Sequence, residues 1–175
     1  MPTETKPYKV YALRYAMRDA RRGEHFIGGD PHDAPMPMDY FVWAIVNEDR
    51  TIILDTGFTE AVAMKRKRAW FRCPVESLSL LGIDPDSVED VVISHLHYDH
   101  VGTFHKFAKA RFHLQEAEMH YACGHYMRHH KLRHSFEVED VAGIIRMTYA
   151  DRVVFHDGDA ELAPGITLHT APGHS

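Results

Sequence analysis

Short apolar stretches separated by polar turns run along most of this chain. Segments of about four to eight residues that alternate between apolar and polar positions, or are continuously apolar, are typical of β-strands. Such segments lie at residues 8–15, 40–46, 51–54, 91–93, 110–114, 152–155 and 166–170. The third follows Glu48-Asp49-Arg50 closely enough to be the hairpin partner of the second. The pattern therefore predicts a chain rich in short strands.

Other segments between the strands have the composition of helices. The pattern predicts helices over residues 61–71, 75–81 and 115–127, with Gly82 ending the second. Residues 28–37 are rich in Gly and Pro and therefore predict a loop. Strands mixed with crossing helices indicate an α/β fold with a layered sheet.

The segment His95-Leu96-His97-Tyr98-Asp99-His100 begins one residue after the apolar run Val91-Val92-Ile93. His95 and His97 are two positions apart, so both point to the same side of an extended segment. Asp99 and His100 follow where the chain turns away and can face a second position. Imidazole and carboxylate ligands suit Zn, Mn, Fe or Co. One short segment thus offers ligands to two adjacent metals, and chance clustering among the 15 histidines is the alternative.

The pattern H-x-H-x-D-H resembles the signature of the metallo-β-lactamase superfamily. Residues 52–57, Ile-Ile-Leu-Asp-Thr-Gly, are similar to the family's strand that ends in an Asp-Thr-Gly turn. Residues 170–175, Thr-Ala-Pro-Gly-His-Ser, resemble its third metal motif. The likeness extends from about residue 8 to the last residue. A closer resemblance is to the N-acyl-homoserine lactonases, which share the Ser-His-Leu-His-aromatic-Asp-His form and the same ending.

The resemblance implies an αββα sandwich, of which this chain would be the first half plus the strand leading to the third motif. It also implies two divalent metal ions, with zinc favoured and Mn, Co or Fe as alternatives. The implied metal ligands are His95, His97, Asp99, His100 and His174. Asp55 is implied to accept a hydrogen bond from a ligand imidazole and fix its orientation. A simple capping role for Asp55 in its turn is the alternative.

Some parts of the family's site have no place in residues 1–175. A metal-bridging aspartate, a final histidine and a substrate-contacting tyrosine come later in the family. We therefore expect a single domain over 1–175 that is truncated at its C-terminus. His95, His97 and His174 would complete the first metal site, whereas Asp99 and His100 leave the second deficient. One sheet face would also remain uncovered.

The implied reaction is the opening of an N-acyl-homoserine lactone or a similar small lactone by a metal-bound hydroxide. Asp99 is implied to pass a proton to the departing alkoxide. The acyl tail needs an apolar groove, for which Met36, Met38, Tyr40 and Phe41 are candidates. Core packing of these four is an equally good interpretation.

Three alternatives stay open beside the lactonase. A thioesterase of the glyoxalase II kind would use the same ligands on a different substrate. A mononuclear iron persulfide dioxygenase would use two motif histidines and the later Gly-His, which suits a deficient second site. An inactive metal-binding fragment is the third.

Composition bears on the protein's binding partners and on its location in the cell. The net charge of −5 gives no reason to expect a nucleic-acid partner. Cys73 and Cys123 do not make a disulfide framework and suit a reducing cytosol. No apolar stretch is long enough for a membrane span, and the polar start is not a secretory signal, so we expect a cytoplasmic protein. The sequence does not decide between a monomer and a homodimer.

The remaining basic and histidine-rich positions predict structural roles. The run Lys65-Arg66-Lys67-Arg68 favours a solvated helix face. The cluster at residues 128–134, which holds His129, His130 and His134, also favours a solvated face, with a lid over the site as the alternative. His113 and three other histidines outside the motif have no partner at ligand spacing and predict surface or core positions.

Overall fold

The computed structural model describes residues 6–175. It contains a seven-stranded sheet, a separate two-stranded hairpin, five α-helices and several short 3-10 helices among these residues. The sheet strands are β1 (Lys9–Arg18), β2 (Met38–Val46), β3 (Thr51–Leu54), β4 (Ala69–Trp70), β5 (Asp90–Val92), β6 (Arg111–Gln115) and β7 (Val153–His156). The hairpin consists of β8 (Ala160–Ala163) and β9 (Ile166–Leu168). The α-helices are α1 (Glu60–Arg66), α2 (Tyr98–Val101), α3 (Glu116–Cys123), α4 (His130–Arg133) and α5 (Val138–Tyr149).

The strand order in the sheet is β4-β1-β2-β3-β5-β6-β7. β1 pairs antiparallel with β4 and β2, and β2 pairs antiparallel with β3. β3, β5, β6 and β7 are parallel to one another. Because parallel strands end at the same edge of a sheet, the segments after β3 and β5 meet there. Both carry predicted site residues.

The two faces of the sheet differ in their covering. On one face, Val42, Ile53, Val91 and Phe112 are buried in a core that also includes Ile144 of α5. Apolar side chains of this kind each contribute roughly 1.5–3 kcal/mol when fully buried.

The opposite face carries apolar side chains that remain accessible. Val10 is 61% exposed and Trp43 is 37% exposed. Val92 and Val154 on this face are half-buried. An accessible apolar sheet face agrees with the expectation from the sequence.

Several predicted elements require correction. The helix predicted over 61–71 ends at Arg66, because Lys67 adopts a left-handed conformation with φ +56°, and Ala69–Trp70 then pairs with β1. The helix predicted over 115–127 is interrupted at Gly124, which separates α3 from a 3-10 helix at His125–Arg128. Helix α5 and strand β8 were not predicted.

Candidate metal centre

The residues of the H-x-H-x-D-H motif lie where β5 leaves the sheet. The Ile93 amide still bonds to the His113 carbonyl at 2.9 Å, so the chain stays extended beyond the strand. Leu96 is fully buried and anchors the turn between the first two motif histidines. Helix α2 then begins at Tyr98, and its single turn contains Asp99 and His100.

Three imidazoles converge on one point. The ligand nitrogens of His95, His97 and His174 lie within 4.8 Å of one another. The ring centroids of His95 and His97 are 4.4 Å apart, and each lies 4.8 Å from that of His174. Nε2 of His95 is buried and has no hydrogen-bond partner, which is costly unless another group binds it. A cation at this point would satisfy that nitrogen, so these residues fit a metal.

Asp55 holds the motif from the neighbouring strand end. It follows β3 in a left-handed conformation with φ +63°, which aspartate tolerates better than most residues. Its carboxylate accepts hydrogen bonds from the Ser94 amide at 2.8 Å, the Ser94 hydroxyl at 3.0 Å and Nδ1 of His100 at 2.7 Å. Since an ionised carboxylate only accepts, His100 carries its proton on Nδ1. Its Nε2 is then free to bind a metal.

Ser94 extends this network to His95. The Ser94 hydroxyl donates to Asp55, so it can accept from Nδ1 of His95, which lies 3.0 Å away. That tautomer leaves a lone pair on Nε2 of His95, the nitrogen without a partner. The network therefore fixes both imidazoles in the form that metal ligation requires.

Asp99 and His100 lie beside the three converging histidines but outside their group. Oδ2 of Asp99 is 3.5 Å from Nε2 of His100. The Tyr15 hydroxyl donates to the Asp99 carbonyl at 3.0 Å and fixes the backbone there.

The electrostatics of the cluster favour neutral imidazoles at His95 and His97 but not at His100. Burial, followed by the neighbouring imidazoles of His100, His97 and His174, lowers the pKa of His95 to about 2. Burial and the same kind of neighbours lower the pKa of His97 to about 4. Burial also opposes protonation of His100, but the hydrogen bond and charge of Asp55 outweigh it and raise its pKa.

His174 reaches the cluster from an exposed segment, residues 169–175. At its start, the Asp159 carboxylate accepts from the Thr170 amide at 2.8 Å and from Nδ1 of His169 at 2.9 Å. Gly173 has φ +108°, and an added Cβ would meet nothing within 4 Å. Gly173 is thus needed for its backbone conformation and not for close approach.

Glu118 of α3 joins the two histidine-bearing segments. One oxygen accepts from the Leu96 amide at 2.8 Å, and the other accepts from the Ser175 hydroxyl at 2.6 Å. The side chain is buried, with Glu118 only 8% exposed. Sequence reasoning missed Glu118 and Ser94, because their partners lie far away in the chain or are identified only by the fold.

The four candidates for an acyl-chain groove do not share one surface. Tyr40 is 4% exposed and its hydroxyl lies 3.0 Å from that of Tyr98, so it belongs to the core. Phe41 points to the opposite face of β2 and packs beside Trp43. Met38 packs against the core, and Met36 is 37% exposed. The four side chains therefore do not line one groove in this structure, because neighbouring strand residues such as Tyr40 and Phe41 point to opposite faces. Their contact with an acyl chain stays a prediction.

His113 has the structural role that its sequence context predicts. It is 5% exposed and hydrogen-bonded to Asp90 and to His156, each at 3.0 Å. It lines a cavity of about 450 Å³ that also borders His95 and His174.

Comparison with known proteins agrees with this geometry. A sequence model of the metallo-beta-lactamase superfamily matches residues 36–175. The chain belongs to this superfamily, and its mixed sheet with helices is the N-terminal portion of the superfamily's α/β domain.

Two curated relatives that share sequence with this chain are both N-acyl homoserine lactonases. The chain is 35% identical over 104 residues to N-acyl homoserine lactonase AiiB of Agrobacterium fabrum, covering 57% of this chain and 37% of the relative. It is 26% identical over 155 residues to an N-acyl homoserine lactonase of Bacillus sp, covering 79% of this chain and 56% of the relative. The chain thus spans roughly a third to just over half the length of these curated relatives.

Solved structures share the fold. A quorum-quenching N-acyl homoserine lactone lactonase matches all of this chain and 67% of its own, with a TM-score of 0.72 and 21% identity. The dizinc lactonase AidC matches 91% of this chain with a TM-score of 0.63 and 15% identity.

Within residues 6–175, no helix combines the length and apolar character needed to cross a membrane. Cys73 and Cys123 are both free thiols.

Proposed function

We propose that this chain carries the metal-binding part of a hydrolase that opens the lactone ring of N-acyl homoserine lactones or similar small lactones. The observation that carries the proposal is the convergence of His95, His97 and His174 within 4.8 Å, beside Asp99 and His100. Support also comes from relatives named as lactonases and from a structurally similar N-acyl homoserine lactone hydrolase that holds the product N-hexanoyl-L-homoserine at its catalytic metal centre.

His95, His97 and His174 would hold one divalent ion, and Asp99 and His100 would contribute to a second, with zinc as the first choice for both. Bound divalent ions would acidify a water molecule and polarise the ester carbonyl. The chain's own residues supply orientation, because Ser94 and Asp55 fix the tautomers of His95 and His100. The carboxylate of Asp99 would hold a proton and pass it to the departing alkoxide.

One observation favours a second candidate, a mononuclear iron dioxygenase. Only three histidines form the converging group among the described residues, while Asp99 and His100 lie outside it. A site of that kind needs one metal and consumes oxygen.

Metal content and substrate turnover separate these candidates. Protein purified without chelator should hold at least one equivalent of zinc, at the three histidines, and should release acid from an N-acyl homoserine lactone. Asp99→Asn should abolish acid release while zinc remains at the three histidines. Asp159→Asn, in an exposed turn, is the control and should leave acid release unchanged. One equivalent of iron with oxygen uptake would favour the dioxygenase, and loaded protein without lactone turnover would refute the hydrolase.

A further inference from the structure

A second cavity, of about 880 Å³, lies on the helical side of the motif. It is enclosed by the end of α1 and by the chain between α3 and α5. Five of its lining residues are cationic: Lys65, Arg66, Lys67, Arg68 and Arg133. Its single lining carboxylate is Glu137. The cavity is therefore basic in a chain whose net charge is −5.

Two of these cations share one carboxylate, which balances one of their two charges. Glu137 bonds to Lys65 at 2.6 Å and to Arg66 at 2.8 Å. Among the described residues, Lys67, Arg68 and Arg133 have no carboxylate within 4.0 Å. Lys67 is the C-cap of α1 and Arg133 is the last residue of α4, where helix dipoles favour cations, whereas Arg68 lies beyond the end of α1.

The lining also has an apolar wall. Phe136, Val138 and Val141 line the cavity, and Val138 is 75% exposed although it begins helix α5. Ligand cavities of roughly 300–1,000 Å³ typically combine apolar walls with a few placed polar groups. A lining that combines cations with apolar side chains matches a ligand with a negative head and a hydrocarbon tail.

We infer that this cavity binds a medium-chain carboxylate, with Lys67, Arg68 and Arg133 at the carboxylate and Phe136, Val138 and Val141 along the chain. Arginine and lysine form charge-assisted hydrogen bonds with carboxylates. A polyphosphate or a nucleic acid would use the cations but would leave the apolar wall without a partner.

The cavity borders the candidate metal centre without sharing its histidines. The Phe136 ring packs edge-on against that of His97, with centroids 4.8 Å apart. Nε of Arg68 donates to the Tyr98 hydroxyl at 3.2 Å. Binding at this cavity does not depend on the proposed hydrolysis.

Displacement of the fluorescent fatty acid cis-parinarate tests the inference. The measurement is made on the full chain in the presence of EDTA, so that no carboxylate can bind through zinc. Decanoate should displace the probe at concentrations at least about tenfold lower than decanol, which has the same chain but no charge. Equal displacement by both, or no probe binding, would overturn the inference.

Single substitutions test which residues bind decanoate. Lys67→Gln and Arg133→Gln should each weaken decanoate binding about fivefold to tenfold, because each removes one cation from the head group. Lys131→Gln is the matched control, since Lys131 lies on α4 with Arg133 but does not line the cavity. All three residues are exposed, and circular dichroism checks that the variants fold. An equal loss in the Lys131→Gln control would show that only overall charge matters and would overturn the inference.

Discussion

Asp55 and Asp159 share two kinds of hydrogen bond in two very different settings. Each carboxylate accepts from a backbone amide and from Nδ1 of a histidine, at distances of 2.7–2.9 Å. The Asp55 side chain is 6% exposed, whereas that of Asp159 is 63% exposed. Each stands beside a segment that supplies histidines to the candidate metal centre.

Burial determines how much the hydrogen bonds of each aspartate contribute to stability. Water competes for the bonds of Asp159, so their loss costs little. The bonds of Asp55 have no such competitor, and breaking one leaves a buried polar group unpaired at about 1–3 kcal/mol. The comparison suggests a rigid half of the centre at residues 94–100 and a weakly held half at 169–175.

Removing one histidine from each half should produce the largest effects. His97→Ala and His174→Ala should each lower zinc affinity by more than about 100-fold, because each would remove a direct ligand of the proposed metal site. Competition with a chromophoric chelator measures this. Without metal, only His97→Ala should lower the free energy of unfolding, by about 1–2 kcal/mol, because His97 is 9% exposed and packs on Phe136. An equal loss in His174→Ala would contradict the difference in rigidity.

Exchanging the two carboxylates for amides tests the comparison directly. Asp55→Asn should lower zinc affinity by about 10–100-fold and the free energy of unfolding by about 1–3 kcal/mol, because an amide cannot accept from all three donors. Asparagine tolerates the same left-handed backbone, so strain does not confuse the result. Asp159→Asn should leave both quantities unchanged within error. Chelator competition and urea unfolding measure the two effects, and similar losses in both variants would refute the role of burial.

Glu118 couples the two halves, and a smaller effect is expected there. Glu118→Met keeps much of the side-chain volume but removes both acceptors, so zinc affinity should fall by about tenfold. Glu118→Gln is the control, because its carbonyl can accept from Leu96 and its amide can donate to the Ser175 hydroxyl. Its zinc affinity should stay within about threefold of the parent. Equal affinities of the methionine variant and the parent would show that the bridge is unimportant.

Acidification should give the smallest effect, confined to the weakly held half. The hydrogen bonds from Thr170 and then from His169 lower the pKa of Asp159 below its ordinary 3.8. A lowered carboxyl pKa means that its stabilisation is present above pH 3.8 and is lost as the pH falls through the lowered value. The amide resonance of Thr170 should therefore titrate with a midpoint below 3.8 in two-dimensional NMR. A midpoint at or above 3.8 would show that the turn is open in solution.

The sequence was sufficient for the parts of the site that follow strands. The apolar run before His95 and the strand before Asp55 were predicted, and parallel pairing of β3 with β5 brings their ends together. The roles of the individual ligands remain predictions, to be tested by the metal measurements above.

Other parts depend on contacts between distant residues and could not be predicted. Helix α5 contains Gly143, which weakens the helical signal, and the ring of Phe104 occupies the space that a Cβ would need there. The bridge made by Glu118 links Leu96 with Ser175, which no local pattern reports. The opposite orientations of Tyr40 and Phe41 follow from strand geometry and are visible only once β2 is placed in its sheet.

The position of His174 near the far end of the described chain has a consequence for folding. A cation shared by His97 and His174 would close a loop of about 80 residues, and loops of that length lose several kcal/mol of chain entropy on closure. Part of the binding free energy of the ion offsets this loss of chain entropy. The metal affinity and the free energy of unfolding are therefore thermodynamically linked. The metal centre would then cross-link distant parts of the tertiary structure in addition to carrying out chemistry.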